Sequence, residues 1–310
     1  VTWSIEEGAL GGQITTTGRY TAPLRPGPFH LIATSIGHPE RTTRVEIAVG
    51  PTRLEVLAGR IGGAGQLDGT GEDARFAAMG GIVGDGAGHL YVTSNYGGYY
   101  SQSGSNPGPW NHLGFVRRVD LATSAVSTVA RVPVHGEFAL GKLVIDAQGK
   151  LYSTTGANEV VRIDPASGAV TTLVPADADI YLNGAIAISG GSLYFVRSGS
   201  PGTDIARVDL ATGAVQRVAG SFSEDSYRDG VGADARIYRV YSLITDATGA
   251  ILFADEPIPA ITLAPCVLRK LDPATREVTT VTGLHYCPRG FAFDARGLLY
   301  TGIWISYAVS

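Results

Sequence analysis

The side chains of this sequence that could do chemistry are scattered, and their densest group is aromatic. The segment SNYGGYYSQSGSNPGPWNHLGF, from Ser94 to Phe115, carries Tyr96, Tyr99, Tyr100, Trp110 and His112 in a setting of Gly, Ser and Pro. Exposed Tyr and Trp offer flat apolar area with a polar edge, which suits stacking on sugar rings or anchoring a protein contact. The same residues can also cover a sheet edge or plug a channel. Long stretches without structure of their own are uncommon in compact domains and tend to be functional or disordered. Four shorter clusters follow: His135 with Glu137 and Phe138, Tyr181 with Asn183, Tyr238 with Arg239, and His285 with Tyr286 and Arg289.

Signals for catalysis are weak. No His-x-His or His-Glu-x-x-His pair occurs, and there is no nucleophile elbow. His112, His135 and His285, if brought together, would supply three ligands and leave the open fourth position of a catalytic zinc. Scattered loop histidines are more often ordinary surface residues, so no cofactor is expected. Asp68, Asp73, Asp225, Asp229 and Asp234 invite a calcium reading, yet their spacing follows neither the EF-hand nor the nonapeptide pattern, and roles in caps and turns explain them. Cys266 and Cys287 are compatible with one disulfide; two unpaired small core residues are the alternative, and two thiols alone make an incomplete metal site.

The elements that must position these residues are short strands. The chain has 310 residues, 44% hydrophobic and 17% charged, enough to bury one large core or two smaller ones. Its 42 glycines and single methionine favour many turns over long helices. A net charge of −4 gives no basic footprint for a phosphate backbone, so nucleic acid is disfavoured as a partner. No apolar run is long enough to span a bilayer, and VTWSIEEG at the start has no signal-peptide pattern.

From Pro51 onward one phrase recurs: two apolar residues, Asp, two residues, Gly, an apolar residue and Tyr. It appears as IVGDGAGHLYV, LVIDAQGKLYS, IAISGGSLYFV, LITDATGAILF and FAFDARGLLYT. Each copy is a strand, a tight turn and a second strand, with Asp85, Asp146, Asp246 or Asp294 opening the turn and a Gly three residues on tolerating positive φ; the third copy has Ser189 instead. A second phrase follows, as in VRRVDLATSAVSTVA and VVRIDPASGAVTTLV, and supplies a third strand, a turn opened by Asp120, Asp164, Asp209 or Asp272, and a fourth strand. A four-stranded unit of this kind cannot bury both faces alone, which makes it a propeller blade.

These phrases, together with DGTGEDARF from Asp68 and DGVGADARI from Asp229, resemble NHL-repeat β-propellers over almost all of residues 51–310. The first 50 residues alternate apolar and polar in bursts, and TWS, GRYTAP, PGPFHLIATS and VEIAV resemble the later strands of a bacterial immunoglobulin-like β-sandwich, with Trp3 expected in its core and Tyr20 beside it. The expected architecture is therefore all-β: a partial sandwich over 1–50 and a propeller of five or six four-stranded blades over 51–310, with the sequence read as a fragment cut at both ends. The resemblance implies a secreted or cell-surface bacterial protein whose propeller loop face binds a glycan or protein, the sandwich acting as a spacer. Candidate contact residues are Tyr96, Tyr99, Tyr100, Trp110, Phe138, Tyr181, Asn183, Tyr238, Arg239, Tyr286 and Arg289. Two alternatives remain open: a metal-dependent lyase or lactonase at the channel mouth, and a polymer subunit that self-associates through the open sandwich edge.

Overall fold

The structure, a computed structural model, describes residues 1–23, 27–50, 56–60, 65–96, 112–134, 140–199, 201–223, 226–256, 266–284, 286–294 and 297–302. It divides into two compact units, Val1–Val56 and Leu57–Ser310. Among the described residues there is no α-helix, and no helix is long and apolar enough to cross a membrane.

In the first unit, β1 (Thr2–Ile5), β4 (Gly27–Thr34) and β5 (Thr42–Val49) form an antiparallel sheet with β4 at its centre, and β2 (Gln13–Ile14) pairs with β3 (Tyr20–Thr21). Phe29 on the central strand is its buried anchor. Trp3 departs from the expected core position: on the edge strand β1 it is 38% exposed, with its indole lying against Gly18. Tyr20 instead donates its hydroxyl to the Gly11 carbonyl at 2.6 Å. Both nitrogens of His30 meet carboxylates, Nδ1 at 2.6 Å from Glu7 and Nε2 at 3.3 Å from Glu46.

The second unit is a β-propeller. Its first sheet holds β6 (Gly69–Thr70), β7 (Ala78–Gly84), β8 (His89–Tyr96), β9 (His112–Asp120) and β10 (Ala125–Val134). The second holds β11 (Leu140–Ile145), β12 (Leu151–Thr155), β13 (Val160–Ile163) and β14 (Val170–Val174). The third holds β15 (Tyr181–Ser189), β16 (Ser192–Ser198), β17 (Thr203–Asp209) and β18 (Val215–Ser221). The fourth holds β19 (Gly230–Val231), β20 (Val240–Thr245), β21 (Ile251–Asp255), β22 (Cys266–Leu271) and β23 (Glu277–Leu284), and β24 (Gly290–Phe293) with β25 (Leu299–Gly302) opens a fifth. All pairings are antiparallel, and the inner strands β7, β11, β15, β20 and β24 are neighbours in that order.

Alternation along each strand explains why the sheets stack. On β12, Leu151 joins Tyr91, Val116 and Val132 of the first sheet, while its neighbour Tyr152 joins Ile186, Leu193 and Phe195 of the third. On β16, Phe195 faces the second sheet and Tyr194 faces Leu243, Phe253 and Leu271 of the fourth. Because strands such as β12 and β16 bury apolar side chains on both faces, the stack is held together mainly by apolar area.

The turns follow their sequence signals. Asp146 accepts from the backbone nitrogens of Gln148 and Lys150, and Gly149 closes the turn at φ 76°. In the turn between third and fourth strands, Gly168 and Gly213 sit at φ 75° and 74°, and Ser124 and Arg276 occupy the same left-handed slot at 58° and 60°. Chain paths also converge tightly near the axis: a Cβ added at Gly81 on β7 would overlap the backbone nitrogen of Leu143 on β11.

Candidate functional site

The ruler that finds the blades also finds the site, through its exceptions. Four residues before each turn-opening position stand Gly81, Lys142, Ala185, Ser242 and Gly290; five before stand Gly80, Gly141, Gly184, Tyr241 and Arg289. Most copies place a small residue there because neighbouring inner strands approach closely. Lys142, Tyr241 and Arg289 are the large departures.

Each inner strand of the first four blades carries a register shift over this stretch, between Met79 and Ile82, Leu140 and Leu143, Leu182 and Ile186, and Val240 and Leu243. Such a bulge bends the strand and re-aims the side chains that it carries. The result is that Lys142, from the second blade, reaches the Tyr241 carbonyl of the fourth with its Nζ at 2.8 Å. A single lysine side chain thus bridges two non-adjacent blades, and the space between the inner strands is narrow at this level.

Around Tyr241 the charged groups assemble. Its hydroxyl donates to Glu256 Oε2 at 2.7 Å, and Arg239 Nη1 lies 3.4 Å from both that hydroxyl and that carboxylate. The Arg289 guanidinium stacks on the Tyr241 ring, 3.6 Å from its centre, and that of Arg239 lies 5.6 Å from the ring centre of Tyr238. Burial and the hydrogen bond to Glu256 hold the Tyr241 hydroxyl above its usual phenol value, and the Tyr241 hydrogen bond with the Glu256 charge keeps Arg239 firmly protonated. Burial, with the nearby Arg289 charge, pushes the Lys142 amine down to about 8. Glu256 follows β21 directly, while Arg239 and Arg289 immediately precede β20 and β24, so one end of the blades supplies the whole group.

Of the residues singled out in the sequence, Tyr238, Arg239 and Arg289 meet here. Tyr181 and Tyr286, at the same end of their blades, are 55% and 58% exposed. Asn183 is engaged within the fold: its amide donates to the Val240 carbonyl and its oxygen accepts from the Ala185 nitrogen at 3.1 Å. Cys266 and Cys287 are joined in a disulfide with Cα atoms 5.1 Å apart, which ties the third strand of the fourth blade to the segment leading to Arg289. Tyr99, Tyr100, Trp110, Phe138, His135 and His285 lie outside the described residues, as does Asp225, and of Tyr96 and His112 only the backbone in β8 and β9 is described. Lys142, Tyr241 and Glu256 were not among the expected site residues.

Two of the aspartates have a role that their sequence context does not disclose. Arg117 on β9 is fully buried and gives Nη2 to Asp68 at 2.7 Å and to the Leu67 carbonyl at 2.8 Å, while Asp68 also accepts from the Thr128 nitrogen and hydroxyl. The fourth blade repeats this: Arg269 on β22 binds Asp229 and Asp255, each at 2.8 Å, together with the Arg228 and Arg236 carbonyls. Asp68 and Asp229 are thus tethers that clamp the loop before a blade onto that blade's own third and fourth strands. Among the described residues, ligand atoms suited to a metal come together only at Glu6, Glu7 and His30 of the first unit, where His30 and Arg44 already engage the carboxylates.

No protein-family model and no curated protein matches the sequence. Solved structures do. The chain is similar to a nidogen/laminin complex structure at 12% identity and a TM-score of 0.50, covering 90% of this chain and 82% of that one. It is also similar to virginiamycin B lyase from Staphylococcus aureus at 14% identity and a TM-score of 0.46, covering 73% of this chain and 63% of that one. A structural-genomics protein from Bacteroides thetaiotaomicron matches at 18% identity and a TM-score of 0.41, over 91% of this chain and 80% of that one. At 12% identity the likeness to the nidogen/laminin complex structure concerns architecture alone, and the architecture that it supports is the β-propeller.

Proposed function

We propose that the chain is a recognition module of a secreted or cell-surface protein, in which the propeller end bearing Tyr181, Tyr238, Tyr241 and Tyr286 binds a glycan. The observation that carries this reading is the grouping, at one end of the blades, of two exposed tyrosines with a stacked Arg–Tyr pair and a hydrogen-bonded Tyr–Glu–Arg set. Sugar rings are recognised by that combination of flat apolar faces and fixed polar groups. A disulfide beside the site is in keeping with an oxidising compartment. On this reading the first unit is an immunoglobulin-like spacer and the propeller is of the NHL type.

A glycan array tests the proposal, with the intact chain compared against Tyr286→Ala and Tyr181→Ala. The expected result is binding to a restricted set of oligosaccharides, weakened about tenfold in at least one variant, as for loss of one stacking contact. An array with no signal above background, alongside specific capture of a protein ligand, overturns it.

A further inference from the structure

The sequence contains only three lysines, against 21 arginines. Two of them have ordinary surface partners: Lys150 lies 2.8 Å from Asp164, and Lys270 lies 3.8 Å from Asp246. Lys142 is different. Its amine donates to a backbone carbonyl, its side chain is largely buried, and the charge that acts on it is that of Arg289, which is of the same sign. Among the described residues no carboxylate forms an ion pair with either Lys142 or Arg289, and the nearby Glu256 is engaged by Tyr241 and Arg239. Bringing two cations together where water is depleted is unfavourable unless an anion sits between them.

We infer that the space beside Tyr241 between Lys142 and Arg289 is an anion subsite, and that the ligand of the propeller face is an acidic glycan whose carboxylate or sulfate group enters it. The inference rests on the glycan reading above and deepens it. Guanidinium groups suit such oxyanions because they present paired donors, and a lysine beside one adds a point charge. The stacking of Arg289 on Tyr241 and the disulfide at Cys287 hold the guanidinium in place before the ligand arrives. The narrowness that lets Lys142 span two blades favours one projecting acidic group over a flat protein surface. The groups that meet Lys142 from the fourth and fifth blades are the Tyr241 carbonyl, which accepts from it, and Arg289, whose charge acts on it, while Glu256 and Arg239 gather at the Tyr241 hydroxyl; burial and the Arg289 charge hold the Lys142 amine at about 8.

The test is calorimetric titration of the whole chain with a trigalacturonate, its fully methyl-esterified counterpart, a sulfated disaccharide and an acidic hexapeptide. One of the two anionic sugars is expected to bind at least tenfold more tightly than the neutral ester. That preference is expected to be lost in Lys142→Met and in Arg289→Gln, and to fade between pH 7 and 9 as Lys142 gives up its proton. A measurement on the unaltered sequence guards against misfolded variants: with the lysines carbon-13 dimethylated, the Lys142 methyl resonance should shift on addition of the bound sugar while those of Lys150 and Lys270 stay in place. Equal binding of acid and ester, or an unmoved Lys142 resonance, overturns the anion subsite and leaves the glycan reading standing. Binding of the peptide alone, or of no sugar, overturns both.

Discussion

Replacing Arg269 with Met removes the centre of the clamp in the fourth blade. Arg269 and its partner Asp255 are both fully buried, and the guanidinium makes four short contacts: Arg236 O at 2.7 Å, Arg228 O at 2.7 Å, Asp229 Oδ1 at 2.8 Å and Asp255 Oδ2 at 2.8 Å. Without it, Asp255 keeps only the backbone donors of Tyr238 and Arg239, and the Arg228 and Arg236 carbonyls each keep only the other residue's backbone nitrogen. Leaving a buried charge without its partner costs about 3 to 5 kcal/mol. Asp229 is 45% exposed, so Asp229→Asn should cost about 1 kcal/mol or less after solvent screening. A domain of this size loses roughly 2 to 4 °C of Tm per kcal/mol, which places Arg269→Met about 6 to 20 °C below the parent. Neutralising both members in Arg269→Met/Asp255→Asn should recover much of the loss, since the penalty is that of an orphaned charge. Thermal unfolding followed by circular dichroism gives the three values. Arg269→Met within about 1 kcal/mol of the parent, or a double variant no better than Arg269→Met, would refute the clamp as a desolvated ion pair.

Four further outcomes are expected. Gly81→Ala should destabilise by about 3 kcal/mol in chemical denaturation, because its Cβ meets the Leu143 backbone, which has no rotamer to yield. Ser124→Gly and Arg276→Gly should each raise stability by about 0.5 to 1 kcal/mol by relieving a left-handed backbone, readable as a higher denaturation midpoint. Oxidised protein should show no alkylatable thiol by mass spectrometry, and the Cys266→Ser/Cys287→Ser variant should lose about 3 kcal/mol, the chain-entropy value for a loop near the sequence separation of 21. In the first unit, Glu7 raises the His30 pKa above 6.5, and His30 lowers that of Glu7 below 4.5. The histidine contribution is complete below pH 6.5 and lost as pH rises through its folded value, whereas the glutamate contribution is complete above 4.5 and lost as pH falls through its own. Stability of that unit should therefore peak between about pH 4.5 and 6.5, and the upper limb should flatten in His30→Gln.

Strands and turns could be read from the sequence because their causes lie within a few residues of one another. Asp146 captures nitrogens two and four positions on, and the side-chain alternation of Leu151 and Tyr152 assigns each to one face whatever lies beyond it. Four such strands with two apolar faces require neighbours, and the propeller follows. What the sequence could not disclose is which residues meet across the space between inner strands. Lys142 and Tyr241 are 99 positions apart, and their meeting depends on bulges that turn side chains away from the simple alternation. The buried arginines escaped for a related reason. A charged residue in a strand reads as solvent-facing, and only the folded arrangement supplies, from residues 33 to 41 positions before Arg269 and 14 before it, the acceptors that make burial tolerable. Local chemistry determined the blades; the site and the clamps came from long-range packing, because desolvation and charge pairing are set by what surrounds a group in space and not by its neighbours along the chain.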